Sequence, residues 1–145
     1  MTQPVTIAMV EDDEGHARLT EKNLRRAGVH NEIVPLTDGA SAMAFLFGSD
    51  GSGLAQKGRP LMILLDLNLP DMSGIDILKR VKENEHLRLA PVVVLTTTDN
   101  RSEIQRCYDL GCNVYITKPV DYQKFANAIL QLGLSMYVMQ VPGVI

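Results

Sequence analysis

The stretch that decides the fold is Leu61-Met-Ile-Leu-Leu-Asp66, a run of apolar residues that ends on one acid. It follows Pro60 and precedes Leu67-Asn-Leu-Pro-Asp-Met-Ser-Gly74, a segment rich in turn-forming residues. Because the run is apolar on both faces of an extended chain, it predicts a strand buried on both sides, as in a parallel sheet. A carboxylate at the end of such a strand needs an explanation. On its own, Asp66 could form an Asx turn or cap a helix.

Composition predicts one compact domain. The chain has 145 residues, of which 46% are hydrophobic and 21% charged. This predicts a single domain over 1–145 with one sizeable core and no room for a second. The formal net charge of -3 leaves no basic surface, so neither nucleic acid nor an anionic membrane is expected as a partner. No signal peptide precedes Val5 and the apolar runs are of strand length, which predicts a cytoplasmic protein.

Strand and helix patterns alternate along the chain. The predicted strands cover 5–10, 31–36, 61–66, 91–95 and 114–116. The predicted helices cover 14–27, 38–48, 73–84, 100–111 and 121–139. Five strands alternating with five helices predict an α/β fold, a parallel sheet wound on both faces.

Polar residues follow four of these strands, namely Glu11-Asp12, Asp66, Thr96 and Lys118. Ligands of such sheets bind at the carboxyl ends of the strands, so these residues converge on one site. Carboxylates gathered there repel one another unless a cation neutralises them. Mg²⁺ fits best, because it binds carboxylates together with phosphate oxygens, whereas zinc prefers His or Cys.

The histidines do not contribute to this prediction. His16, His30 and His86 lack metal-ligand spacing and lie on predicted helix or loop surfaces, which predicts that they are solvated. An Asp beside Mg²⁺ and a Lys is suited to attack a phosphoryl group and form an aspartyl phosphate. Since phosphoryl transfer needs mainly positioning and charge neutralisation, no separate base is required.

In this order, the residues resemble the receiver domains of two-component response regulators. The resemblance covers nearly the whole chain and rests on the acidic pair, Asp66 to Gly74, Leu95-Thr-Thr97 and Tyr115-Ile-Thr-Lys-Pro119. It implies a flavodoxin-like sheet with strand order 2-1-3-4-5, the order that chemotaxis receivers illustrate. It also implies a signalling domain that catalyses its own phosphorylation and dephosphorylation, not an enzyme acting on other substrates.

The resemblance assigns the acidic residues. It implies that Asp66 is the phosphoacceptor and that Glu11 and Asp12 are Mg²⁺ ligands, either directly or through water. The backbone carbonyl of Asn68 is implied as a further ligand. Glu11 replaces the commoner Asp of the family.

The remaining assignments concern the phosphoryl group and its readout. The resemblance implies that Thr96 and Lys118 contact the phosphoryl oxygens. It further implies that Thr96 and Tyr115 form a switch, in which Thr96 moves to the phosphoryl group and Tyr115 turns into the vacated space.

A more specific resemblance concerns the end of the chain. The segment before Leu61 and the ending 136–142 resemble single-domain response regulators that partner bacterial phytochromes, which implies a sensor histidine kinase of the bacteriophytochrome type as partner. The last predicted helix carries two apolar stripes, and a monomer seldom exposes the second. We therefore expect a homodimer through the last strand and residues 121–145; the alternative is a longer helix that wraps its own core.

Other functions stay open at this stage. A phosphorelay intermediate, a pseudo-receiver binding module and a flavodoxin-like cofactor carrier share the predicted fold. A phosphatase with an aspartyl nucleophile is disfavoured, because Asp66-Leu-Asn68 lacks a second acid two residues on. Because no residues remain for an output domain, a stand-alone switch is the leading expectation.

Overall fold

The computed structural model describes residues 5–48 and 60–118, together with Gln123 and Asn127. The strands are β1 (Thr6–Val10), β2 (Ile33–Leu36), β3 (Leu61–Asp66), β4 (Val92–Thr96) and β5 (Val114–Thr117). The helices are α1 (Glu14–Arg26), α2 (Gly39–Phe47), α3 (Gly74–Glu83) and α4 (Arg101–Leu110). The strands form one parallel sheet in the order β2-β1-β3-β4-β5, which confirms the predicted topology.

The central strand is β3, and all six of its residues are buried. It pairs with β1 on one side and with β4 on the other, so that Leu64 lies beside both Met9 and Val93. The apolar run that predicted a fully buried strand therefore occupies the middle of the sheet, where neither face meets water.

The two faces of the sheet carry separate cores. Side chains alternate between faces along a strand, so Ile63 and Leu64 point in opposite directions. Ile63 belongs to a cluster that includes Leu46 of α2 and Ile77 of α3, whereas Leu64 belongs to one that includes Leu24 of α1. Helices thus cover both faces, and the polar residues at the strand ends are left at the edge between them.

Both outer strands are protected against further pairing. In β2, the exposed Pro35 lacks a backbone N–H group. In β5, the backbone N–H of Tyr115 donates to the hydroxyl of Tyr108 on α4, at 3.2 Å. These features disfavour extension of the sheet by another strand.

The predicted fifth helix falls almost entirely outside the described residues. Within it, Gln123 and Asn127 are described, helical and exposed, and Gln123 Nε2 donates to Asn127 Oδ1 at 3.0 Å. The fifth helix and the homodimer surface over 121–145 stay predictions. Among the described ranges, none of the helices combines the length and apolarity that crossing a bilayer requires.

Candidate functional site at the carboxyl edge of the sheet

Three acids meet where β1 and β3 end. Because Val10 pairs with Leu65, the next residues along the two strands, Glu11 and Asp66, are neighbours. One carboxylate oxygen from each of Glu11, Asp12 and Asp66 lies within 4.8 Å of the others. Glu11 and Asp66 are buried whereas Asp12 is exposed, so the cluster opens to solvent on one side.

A lysine that directly follows β5 pairs with two of these acids. The backbone N–H of Lys118 donates to the carbonyl of Thr96 at 2.7 Å, which holds the end of β5 against the end of β4. The ammonium donates to Asp66 Oδ2 at 3.0 Å and also to Glu11 Oε1. Only 5% of the Lys118 side chain is exposed, so the three charges form a buried group.

Burial shapes the protonation of this group. It raises the pKa of Glu11 to about 7, helped by a hydrogen bond with Asp66 and opposed by the bond from Lys118. Burial alone would lower the pKa of Lys118, but the hydrogen bonds and charges of the two carboxylates outweigh it and raise that pKa. The ammonium therefore stays charged, while Glu11 gains or loses its proton near neutral pH.

Asn68 connects the ends of β3 and β4. Its backbone N–H donates to Asp66 Oδ1 at 3.0 Å, and its side-chain Nδ2 donates to Thr96 Oγ1 at 3.3 Å. Thr96 is fully buried. The metal-ligand role that the sequence assigned to the backbone carbonyl of Asn68 stays a prediction. The side-chain contact of Asn68 with Thr96, across two strands, was missed.

The loop between β3 and α3 is anchored to a second helix. Asp71 accepts hydrogen bonds from the backbone N–H groups of Gly39 and Ala40, at 2.7 Å and 2.9 Å. These bonds hold the pKa of Asp71 below its ordinary value. The loop that carries Asn68 is therefore fastened to the N-terminus of α2, a contact for which the sequence carried no signal.

Hydrogen bonds link the site to the predicted aromatic switch residue. The backbone N–H of Thr98 donates to Thr96 Oγ1 at 3.4 Å, and the hydroxyl of Tyr115 donates to the carbonyl of Thr98 at 3.0 Å. Burial raises the pKa of the Tyr115 hydroxyl well above its ordinary value, so the hydroxyl keeps its proton and remains a donor. Thr98 thus connects the two residues that the sequence predicted as a switch.

His16 belongs to the site, which corrects the prediction that it is merely solvated. Its Nδ1 lies 3.3 Å from Lys118 Nζ, although 44% of the imidazole side chain is exposed. His30 and His86 are exposed, as predicted. A signal was available: helical side chains lean toward the N-terminus of their helix, so a residue in the first turn of α1 points back to the strand ends.

The donor set suits a hard divalent cation. It consists of carboxylate oxygens, which Mg²⁺ and Mn²⁺ prefer, and no Cys or His belongs to the described acidic cluster. Ligands of Mg²⁺ lie about 2.1 Å from the ion, so ligands on opposite sides of it are about 4.2 Å apart. The spread of 4.8 Å between the carboxylate oxygens is therefore close to what Mg²⁺ needs.

Comparisons with known proteins identify the family of this site. The profile of the response regulator receiver domain matches residues 7–130. A crystal structure of a response regulator receiver domain from Rhodospirillum rubrum is 70% identical, with a TM-score of 0.79, and the match covers 95% of this chain and 97% of that one.

Two further relatives connect the chain to single-domain response regulators. Response regulator Rcp1 from Synechocystis is 40% identical over 79% of this chain and 77% of its own length. A crystal structure of the Mn²⁺-bound form of a response regulator named Rcp1 aligns over 94% of this chain and 96% of that one, at 33% identity and a TM-score of 0.71. The bacteriophytochrome response regulator RtBRR is 38% identical, with a TM-score of 0.78, covering 92% of this chain and 79% of that one.

Proposed function

Because this chain belongs to the response regulator receiver domain family, we propose that it is a stand-alone response regulator that accepts a phosphoryl group on Asp66 from a sensor histidine kinase. The observation that carries this proposal is the arrangement around Asp66. One of its oxygens accepts from the backbone of Asn68 and the other from the buried ammonium of Lys118, with two further acids alongside. A buried carboxylate held in this way is oriented for attack at one position.

The proposed reaction is a displacement at phosphorus. A carboxylate oxygen of Asp66 forms a bond to phosphorus as the bond from phosphorus to the histidine nitrogen of the kinase breaks. The electron pair of that bond stays on the leaving nitrogen, and because the other ring nitrogen of the phosphohistidine carries a proton, the kinase regains a neutral imidazole. Lys118 and the hydroxyl of Thr96 neutralise the charge on the transferred oxygens.

The acids would hold Mg²⁺ during this reaction. Glu11, Asp12 and Asp66, with the backbone carbonyl of Asn68, would be the ligands, and the metal when bound would neutralise charge on the phosphoryl oxygens. The Mn²⁺-bound structure of Rcp1 supports a divalent ion in this family. Since a ligand carboxyl must be deprotonated, metal binding competes with the proton that burial favours on Glu11.

Phosphorylation would be read out through Thr96 and Tyr115. A phosphoryl group adds about -1.5 to -2 charge and three acceptor oxygens. Thr96 would turn its hydroxyl to the phosphoryl group, which breaks the bond from Thr98 and frees Tyr115 to change rotamer. The hydrogen bonds that join these three residues support this coupling.

The partner and assembly are also proposals. Similarity to RtBRR supports a kinase of the bacteriophytochrome type, and the negative net charge gives no support to binding of nucleic acid. We place the protein in the cytoplasm as a single receiver domain over 1–145. We expect a homodimer through β5 and residues 121–145.

The test is intact-protein mass after incubation with acetyl phosphate and Mg²⁺. We expect the mass of one phosphoryl group to be gained, and the gain to be lost when EDTA removes Mg²⁺ or when Asp66 is replaced in Asp66→Asn. Asp76→Asn, which changes an exposed acid on α3, is the matched control and should behave as the wild type. If Asp66→Asn still gained the mass of a phosphoryl group, another residue would be the acceptor. If the wild type gained none with any phosphoryl donor, a pseudo-receiver would be favoured.

A further inference from the structure

Among the residues that the structure describes, the ammonium of Lys118 has three partners, of which the proposed reaction uses two. An ammonium carries three N–H groups and no acceptor. Two of them reach Asp66 and Glu11, and the third partner is His16 Nδ1 at 3.3 Å. The position of the buried charge is therefore set by an imidazole as well as by the two carboxylates.

His16 is held in place by the residues that also hold Glu11. The carboxylate of Asp13 caps α1 by accepting from the backbone N–H of His16 at 2.9 Å. The backbone N–H of Asp13 itself donates to Glu11 Oε2 at 3.2 Å. The segment 11–16 thus presents a carboxylate and an imidazole to the same ammonium, that of Lys118 directly after β5.

Exposure separates the roles of the three partners. Glu11 and Asp66 are buried beneath the ammonium, whereas the side chain of His16 is 44% exposed. The imidazole is therefore the most exposed of the three partners. The imidazole is uncharged when it accepts from an ammonium, and its Nδ1 lone pair is then occupied by that hydrogen bond.

We infer that His16 is a positioning residue, which accepts the third N–H of Lys118 through Nδ1 and so fixes the ammonium at the place where phosphoryl oxygens arrive. If Glu11 and Asp66 held a metal ion, their oxygens would be less available to Lys118 as acceptors. His16 then remains as the contact that keeps the ammonium at the mouth of the site. This inference rests on the proposed function of Asp66 as phosphoacceptor.

Two substitutions separate positioning from a structural role. His16→Leu fills a similar volume but has no acceptor, whereas His16→Asn places its Oδ1 close to the position of Nδ1 and restores one. Leu, Asn and His are all tolerated in helices, so neither change should unfold α1. His86→Leu, made on an exposed loop, is the matched control.

The first readout is independent of phosphorylation. ¹⁵N NMR of the imidazole in the metal-free wild type should show the proton on Nε2 and Nδ1 as an acceptor, and Lys118→Met should remove the signature of that hydrogen bond. A proton on Nδ1 would place two donors against each other and would overturn the inference. This arm stands even if the protein accepts no phosphoryl group.

The second readout is the rate of phosphorylation by acetyl phosphate at saturating Mg²⁺. We expect His16→Leu to slow it about tenfold, the order found when an outer partner that orients a reactive group is removed. His16→Asn should recover to within about threefold, and His86→Leu should match the wild type. If the wild type is phosphorylated and His16→Leu is as fast, His16 does not position Lys118, while the proposed function of Asp66 stands.

Discussion

The two loops that flank the site are built differently. The loop after β3, residues 67–73, is held by bonds from three backbone N–H groups. That of Gly74 donates to the carbonyl of Leu67 at 2.9 Å, and those of Gly39 and Ala40 in α2 donate to the Asp71 carboxylate. The loop after β4, residues 97–100, is held by single hydrogen bonds, two through Thr98 and a long one, 3.5 Å, from Asn68 Nδ2 to Thr97 Oγ1. The loop beside Asp66 is therefore fixed to a second helix, whereas the loop beside Thr96 can change partners.

The close approach at Gly74 should give the largest effect. A Cβ atom there would lie 2.3 Å from the carbonyl oxygen of Asp66 and 2.7 Å from Leu67 Cα, and neither is a flexible side chain that could move away. We expect Gly74→Ala to lower the free energy of unfolding by about 2–3 kcal/mol, measured by urea denaturation.

A second glycine provides the control for this prediction. In Gly15→Ala the new Cβ meets only the Asp13 carboxylate, at 3.3 Å, and α1 gains helix propensity. It should stay within about 1 kcal/mol of the wild type. Equal stability of the Gly74→Ala protein would mean that the loop after β3 can shift, and the contrast between the loops would fail.

The hydroxyl of Tyr115 tests the other loop. Tyr115→Phe removes the single bond to the Thr98 carbonyl, so the free energy of unfolding should fall by about 1 kcal/mol. Hydrogen exchange should speed up in residues 97–100 and stay unchanged in 67–73.

Tyr108→Phe is the matched control, because it removes a hydroxyl of the same kind that serves the edge of β5 and not the loop. It should leave exchange in residues 97–100 at the wild-type rate. Faster exchange in both loops of the Tyr115→Phe protein would show that they move as one unit.

The smallest effect should come from Asp71, and its pH dependence should lie in the acid range. Because its folded pKa lies below the ordinary value of 3.8, the folded state binds this proton less readily than the unfolded state. The stabilisation is therefore complete above that value and is lost as the pH falls through the folded pKa.

The free energy of unfolding of the wild type should fall between pH 5 and about pH 3, and that of Asp71→Asn should fall less over the same range. Urea denaturation at each pH measures both. Asp99→Asn, which changes an exposed acid on the other loop, serves as the control. If the free energy of unfolding changed with pH in the same way in the wild type and in Asp71→Asn, the Asp71 carboxylate would not stabilise the loop through α2.

The sequence by itself determined the fold and most of the site. Apolar periodicity located the strands and helices, and a chain of alternating strands and helices has few ways to bury both faces of a sheet. That arrangement places Glu11, Asp66, Thr96 and Lys118 at one edge without any knowledge of side-chain contacts. The apolar pattern of the sequence locates the end of each strand, so the residues at the strand ends can be assigned to the site from sequence alone.

The contacts around these residues were decided only by the tertiary structure. The contacts of His16 with Lys118, of Asn68 with Thr96 and of Asp71 with α2 join residues far apart in the chain. Each depends on how a helix is rotated against the sheet or how a loop folds back, to within about an ångström. Periodicity reports which face of an element is buried, and it carries no information about such distances. His16 shows this limit of the sequence. A half-exposed position on an amphipathic helix is compatible with an imidazole that meets only solvent and with one that contacts the buried ammonium of Lys118.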